Sequence, residues 1–157
     1  MKPKPSISLS EVRGRSTWLS VVRAYLTCDS LLANQLAAVG IRMAEHEVLI
    51  NLSQTPGMTQ QELARHSFSA KSGISMLIAQ MEARGLVERV ADTQDARVKR
   101  VVLTITGQGL AEQALRIQTQ LVACMTDDFT NADLAQIELV MLQVTERLQQ
   151  RAAQAVT

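Results

Sequence analysis

The residues best placed to do chemistry lie in the run DTQDARVKRVVLTITG, residues 92–107. Arg97, Lys99 and Arg100 follow Asp92 and Asp95 there, and Arg89 leads into the run. Cations on a mobile hairpin turn suit phosphate oxygens and the floor of a minor groove. Upstream, Ser69 suits the cap of a helix.

Enzymatic chemistry has no comparable footing. GxSxG, P-loop, GxGxxG and HExxH patterns are missing, as is a nucleophile–base pair. Asp127 and Asp128 read as a solvated loop between helices. His46 and His66 are too far apart in sequence to form a recognisable metal site. The expectation is no enzyme, no metal and no cofactor.

The elements that position these groups follow from periodicity and caps. Trp18, Val21, Val22, Tyr25, Cys28 and Leu32 recur at helical spacing to about Ala38, with Gly40 as the stop. A second helix covers about Ala44 to Leu52 and ends at Thr55-Pro56-Gly57. Thr59-Gln60-Gln61-Glu62 is a capping box that opens a short helix ending near His66. A fourth helix spans about Ala70 to Arg84, burying Ile74, Leu77, Ile78 and Met81. Leu86–Val90 and Val98–Thr104 read as a hairpin around Asp92–Asp95. Thr104 caps a long helix with Leu110, Ala114, Ile117, Leu121 and Cys124 on its stripe. Thr130 and Asp133 open a last one, with Leu134, Ile137, Met141, Val144 and Leu148.

This pattern predicts a mostly α chain with a small β-hairpin wing. It is a winged helix-turn-helix whose N- and C-terminal helices form a dimerisation region. The expected division is a single chain over 1–157, with a DNA-binding lobe at 42–107 and dimerisation helices at 10–40 and 108–157. The 3-4-3-4 spacing of the last stripe suits a seam for another helix. Packing within one chain and a two-fold dimer both account for it, and the dimer also supplies the paired half-sites that helix-turn-helix proteins use.

A net charge of +1 over 157 residues is low for a nucleic-acid binder, but its distribution is uneven. Residues 1–24 hold five Lys/Arg against one Glu, whereas residues 105–157 hold three against six acids. Such a chain presents one face to a polyanion. No apolar run reaches the roughly 18 residues of a membrane span, and the basic start lacks the apolar core of a secretory signal. Cys28 and Cys124 belong to no CxxC pair and read as buried, reduced thiols of a cytoplasmic protein.

The ordered block resembles the MarR family of bacterial transcriptional regulators. Leu63-Ala64, Ser72-Gly73-Ile74-Ser75, Met81 to Arg89, Asp92 to Arg97 and Leu103 to Gly107 match its pattern in order, and the likeness extends from about Trp18 to Leu148. It implies a homodimeric, ligand-responsive repressor on palindromic double-stranded DNA. The fourth helix would occupy the major groove, bringing Ser69, Lys71, Ser72, Gly73, Ser75 and Met76 to its edge. Arg97, oriented by Asp95, would reach the minor groove, with Lys99 and Arg100 on phosphates. Met76 stands where the family often has Arg, and Met43 where it often has a capping Thr.

The resemblance also implies a small aromatic or anionic effector, for which Trp18, Arg23, Tyr25 and His46 are candidates. Two other readings stay open: a winged-helix dimer acting through protein partners, and a regulator sensing oxidants through cysteine.

Overall fold

A computed structural model describes residues 12–68, 73–95 and 97–155. The elements run α1 (Arg15–Ala38), α2 (Met43–Gln54), β1 (Met58–Thr59), α3 (Gln60–His66), α4 (Ile74–Ala83), β2 (Val87–Ala91), β3 (Lys99–Leu103), α5 (Ile105–Thr126) and α6 (Asn131–Gln154). This is the winged helix-turn-helix expected from the periodicity. The chain divides into one compact unit through Thr119 and a second from Gln120 onward. Among the described residues no helix is long and apolar enough to cross a membrane.

The core of the first unit is aliphatic. Leu36 of α1, Val48, Leu49 and Leu52 of α2, Leu63 of α3, and Ile78 and Met81 of α4 are all essentially inaccessible. Val87 and Val101 close it from the sheet and Ala114 from α5. Each large aliphatic side chain so buried contributes about 1.5 to 3 kcal/mol. This packing, more than helix propensity, holds a seven-residue helix such as α3 in place. The capping box at its start forms as expected. The Glu62 N–H donates to Thr59 Oγ1 at 3.2 Å, and the Thr59 N–H donates to Glu62 Oε2 at 2.7 Å.

The sheet has one strand more than the expected hairpin. Its order is β1-β3-β2, all antiparallel, with Met58 opposite Val101 and Val87 opposite Leu103. Two residues are too short to show an alternating pattern, so β1 was invisible in the sequence. It forms because Gly57, at φ 78°, turns the chain back onto β3.

Glu45 of α2 is fully buried and gathers the N-terminal end of α2 and the end of α4. It accepts from the Arg42 N–H at 2.9 Å, from Arg42 Nη2 at 2.7 Å and from Arg84 Nη1 at 2.6 Å. Burial alone would push this carboxyl up, but the bonds from Arg42 and Arg84 win and hold it below the usual carboxylate range. The carboxylate thus satisfies the backbone N–H of Arg42, the residue that caps α2. The Arg84 Nη2 also donates to the Gly40 carbonyl at 2.9 Å.

In the second unit, Thr130 caps α6 as expected, and Asp133 returns the bond to complete a capping box. No side chain of α6 is buried. Leu134 and Met141 are half-buried, whereas Ile137, Val144 and Leu148 are exposed.

Candidate nucleic-acid interface

The wing is built from the inside outward by two aspartates. Asp92 Oδ1 accepts the N–H groups of Gln94 at 2.7 Å and Asp95 at 3.1 Å, which curls the turn. Its other oxygen takes an ion pair from Arg100 Nε. The Arg100 guanidinium, and behind it the N–H groups of Gln94 and Asp95, pull the Asp92 carboxyl down to about 2. The turn closes where the Asp92 N–H donates to the Val98 carbonyl and the Val98 N–H to the Asp95 carbonyl.

At the tip, Asp95 grips Arg97. Arg97 Nε donates to Oδ1 at 3.0 Å and Nη2 to Oδ2 at 3.1 Å, while the Arg97 N–H also reaches Oδ1 at 3.0 Å. The Arg97 side chain nevertheless stays 92% exposed. Side-chain hydrogen bonding between the two raises the guanidinium's pKa and lowers that of the carboxyl. The tip therefore projects an oriented, permanently charged cation into solvent. Lys99, opposite Ala91 on the sheet, is exposed as well.

Two of the four hairpin cations are not free in this way. Arg100 pairs with Asp92, and its Nη1 donates to the Gly57 carbonyl at 2.8 Å. It clamps the wing to the residue before β1, while its side chain stays 43% exposed. Arg89 pairs with Glu82 of α4, and its N–H donates to the same carboxylate at 3.2 Å. That pair fastens α4 to the wing. Sequence reasoning had found the cations, but separating structural from available ones required their partners.

Helix α4 begins after Gly73, whose φ of −118° is open to any residue. A Cβ at Gly73 would meet nothing within 4 Å, so the chain itself does not require glycine there. Ser75 and Met76 are exposed on the helix, Met76 at 67%. Ser69, Lys71 and Ser72 lie outside the described residues. In the turn before them, Glu47 Oε2 accepts the Phe68 N–H at 3.1 Å.

The four candidate effector residues are not brought together. Trp18, Arg23 and Tyr25 are exposed on α1, with Trp18 beside a shallow hollow next to Val12 and Arg13. His46 is buried and lines a separate cavity of about 260 Å³ with Leu32, Met43, Ile50, Phe68 and Gln118. Neither ring nitrogen completes a hydrogen bond. Burial holds the His46 pKa below its usual value, with the Gln118 amide and Glu47 charge offsetting part of the effect. Among the described residues no cluster of His, Cys, Asp and Glu could hold a metal ion. Cys28 is half-buried, and Cys124 is exposed in the single chain, contrary to the expectation of a buried thiol.

Comparison with known proteins agrees with this architecture. Residues 39–98 match the model of the MarR family. An uncharacterized HTH-type transcriptional regulator of Bacillus cereus is 28% identical over 120 residues, 76% of this chain and 80% of its own length. An HTH-type transcriptional repressor of Mycobacterium tuberculosis is 33% identical over 79 residues, 50% of this chain and 57% of the repressor. Among solved structures, a mutant MarR of E. coli complexed with operator DNA superposes with a TM-score of 0.70 at 23% identity, covering 88% of this chain and 99% of that one. Residues 39–98 thus carry the pattern of the MarR family, and the chain has the fold of solved MarR structures.

Proposed function

We propose that the protein is a sequence-specific repressor that binds a palindromic operator as a homodimer and leaves it when a small effector binds. The observation that carries this reading is Arg97, held at the wing tip by Asp95 and 92% exposed. With α4 in the major groove, Ser69, Lys71, Ser72, Gly73, Ser75 and Met76 meet its edge. Arg97 reaches the neighbouring minor groove, with Asp95 orienting it, and Lys99 a phosphate. Arg100 acts one step back, by shaping the turn. The DNA it would meet is that of the cytoplasm.

The second copy is supported by apolar surface. Ile137, Val140, Val144 and Leu148 of α6 are exposed, and so are Trp18, Val21 and Tyr25 of α1. Exposed apolar side chains in such rows are what contact with a second copy would cover. Mutating Ile137→Asp together with Met141→Asp tests it. A monomeric or unfolded chain by analytical ultracentrifugation and circular dichroism supports the seam, and a folded dimer removes it.

The effector is proposed to enter the cavity beside His46, where a buried ring without hydrogen bonds offers polar recognition among apolar walls. Trp18, Arg23 and Tyr25 then face the dimer partner, not this cavity.

Selection of bound fragments from the source genome, followed by a salt titration on the best fragment, tests the reading as a whole. An enriched, near-palindromic site with a steep salt slope supports it. Weak binding indifferent to sequence favours a winged-helix dimer that works through proteins.

A further inference from the structure

Helix α4 turns by about 100° per residue. Its buried side chains, Ile74, Leu77, Ile78 and Met81, mark the inner face. On that geometry Met76, Ala79 and Ala83 lie opposite, along the outward midline, with Ser75 and Gln80 on the flanks.

The long polar side chains of this helix and its C-terminal cap are engaged elsewhere. Gln80 accepts from Arg42 Nη2 at 2.9 Å, Glu82 pairs with Arg89, and Arg84 binds Glu45 and the Gly40 carbonyl. Each of these bonds ties α4 to α2, to the wing or to the loop after α1. Among the described residues, the side chains left to face outward from the first two turns are Ser75, Met76 and Ala79. One hydroxyl can exchange hydrogen bonds with a base edge. The other two present only apolar surface, and Met76 is the one with reach. Its unbranched thioether adapts to a partner's shape and is 67% exposed.

The major groove offers one apolar feature to such a side chain. Every base edge there shows hydrogen-bond donors or acceptors, and thymine adds its C5-methyl group. A methionine gains nothing against a guanine edge, which it can only desolvate, whereas against a methyl group both surfaces leave water together. We propose that Met76 is a specificity-determining residue that reads the C5-methyl group of a thymine in each operator half-site. This rests on the placement of α4 in the major groove proposed above. It assigns that part of the half-site to methyl recognition, not to bidentate hydrogen bonding.

The test uses the full-length protein and the operator recovered by fragment selection. Each thymine is replaced in turn by uracil, which removes the methyl group and leaves the pairing edge intact. One thymine per half-site should lose about fourfold in affinity, the factor for one buried methyl group, without a change in salt slope, because no phosphate contact is touched. Putting 5-methylcytosine, paired with guanine, at that position should recover part of what an unmethylated cytosine loses. In Met76→Ala the uracil and thymine operators should bind equally. In Arg97→Ala, weaker overall, the uracil penalty should persist.

Tolerance of uracil at every thymine overturns the assignment, as does a penalty that survives in Met76→Ala, since another group then reads the methyl. If the protein discriminates operator from random DNA but shows neither effect, this inference fails while the repressor reading stands. If it does not discriminate at all, both fall. Because Met76 is exposed, the variant should melt with the parent, and circular dichroism checks that any lost affinity is local.

Discussion

Asp95 holds Arg97 through two parallel hydrogen bonds at 3.0 and 3.1 Å, across only two residues of chain, and still leaves it 92% exposed. A carboxylate so close to the cation lowers the local positive charge that the proposed DNA contact would use. In return it removes rotamer freedom that the arginine would otherwise lose on binding. Arg97→Ala should weaken operator binding by about 1 to 3 kcal/mol, roughly 5- to 150-fold, in gel-shift titrations. The melting temperature should not change, because so little of the side chain is packed. Asp95→Ala should weaken binding less, and unaltered affinity in Arg97→Ala would take Arg97 out of the interface.

Arg100 and Asp92 hold the base of the same turn. The Asp92 carboxyl has its pKa lowered from 3.8 to about 2 on folding. A carboxyl depressed in the folded state stabilises it above the unfolded value and loses that contribution as pH falls through the folded one. The pair should therefore be intact at neutral pH and fade only between about 3.8 and 2. Arg100→Lys keeps the charge but not the geometry of the bonds to Asp92 and Gly57. Faster amide exchange at Gln94 and Asp95 is the expected outcome by NMR, with wild-type exchange counting against the clamp.

Gly107 is packed against backbone. A Cβ there would sit 1.9 Å from the Leu86 carbonyl oxygen, which also accepts the Thr104 N–H at 3.1 Å. Neither group can yield without moving α5 or the start of β2. Gly107→Ala should cost about 3 kcal/mol, the upper end for overpacking, measured by urea denaturation. Gly73→Ala, with open space around it, should be nearly silent in the same assay, although DNA binding reads it separately.

His46 carries a pH dependence of its own. Its pKa is lowered from 6.5 chiefly by burial, so the folded state binds fewer protons than the unfolded one just below that value. Stability should fall as pH drops below 6.5 and stop falling once the folded-state pKa is passed. His46→Leu should flatten the melting temperature between pH 7.5 and 5.5. A slope as steep as in the parent would place the titration on another group.

The elements themselves were legible because each rests on local physics. The capping boxes at Thr59 and Thr130 satisfy backbone donors within four residues, and the helical stripes repeat along the chain. The charged run was legible too, and the resemblance singled out Arg97 and Asp95 within it, which interact across two residues of one turn. What depends on distant partners was not visible. β1 exists because residue 57 turns the chain onto a strand more than forty residues later. Arg100 is a clamp because the Gly57 carbonyl and Asp92 meet its guanidinium, and Glu45 is a buried hub because α4 delivers Arg84 to it. His46 was separated from Trp18, Arg23 and Tyr25 because α2 buries it while those α1 side chains stay exposed. Residue types and local spacing determined which groups could touch DNA. Tertiary packing decided which were left free to do so, since a buried or bridging charge takes whatever partner the fold brings to it.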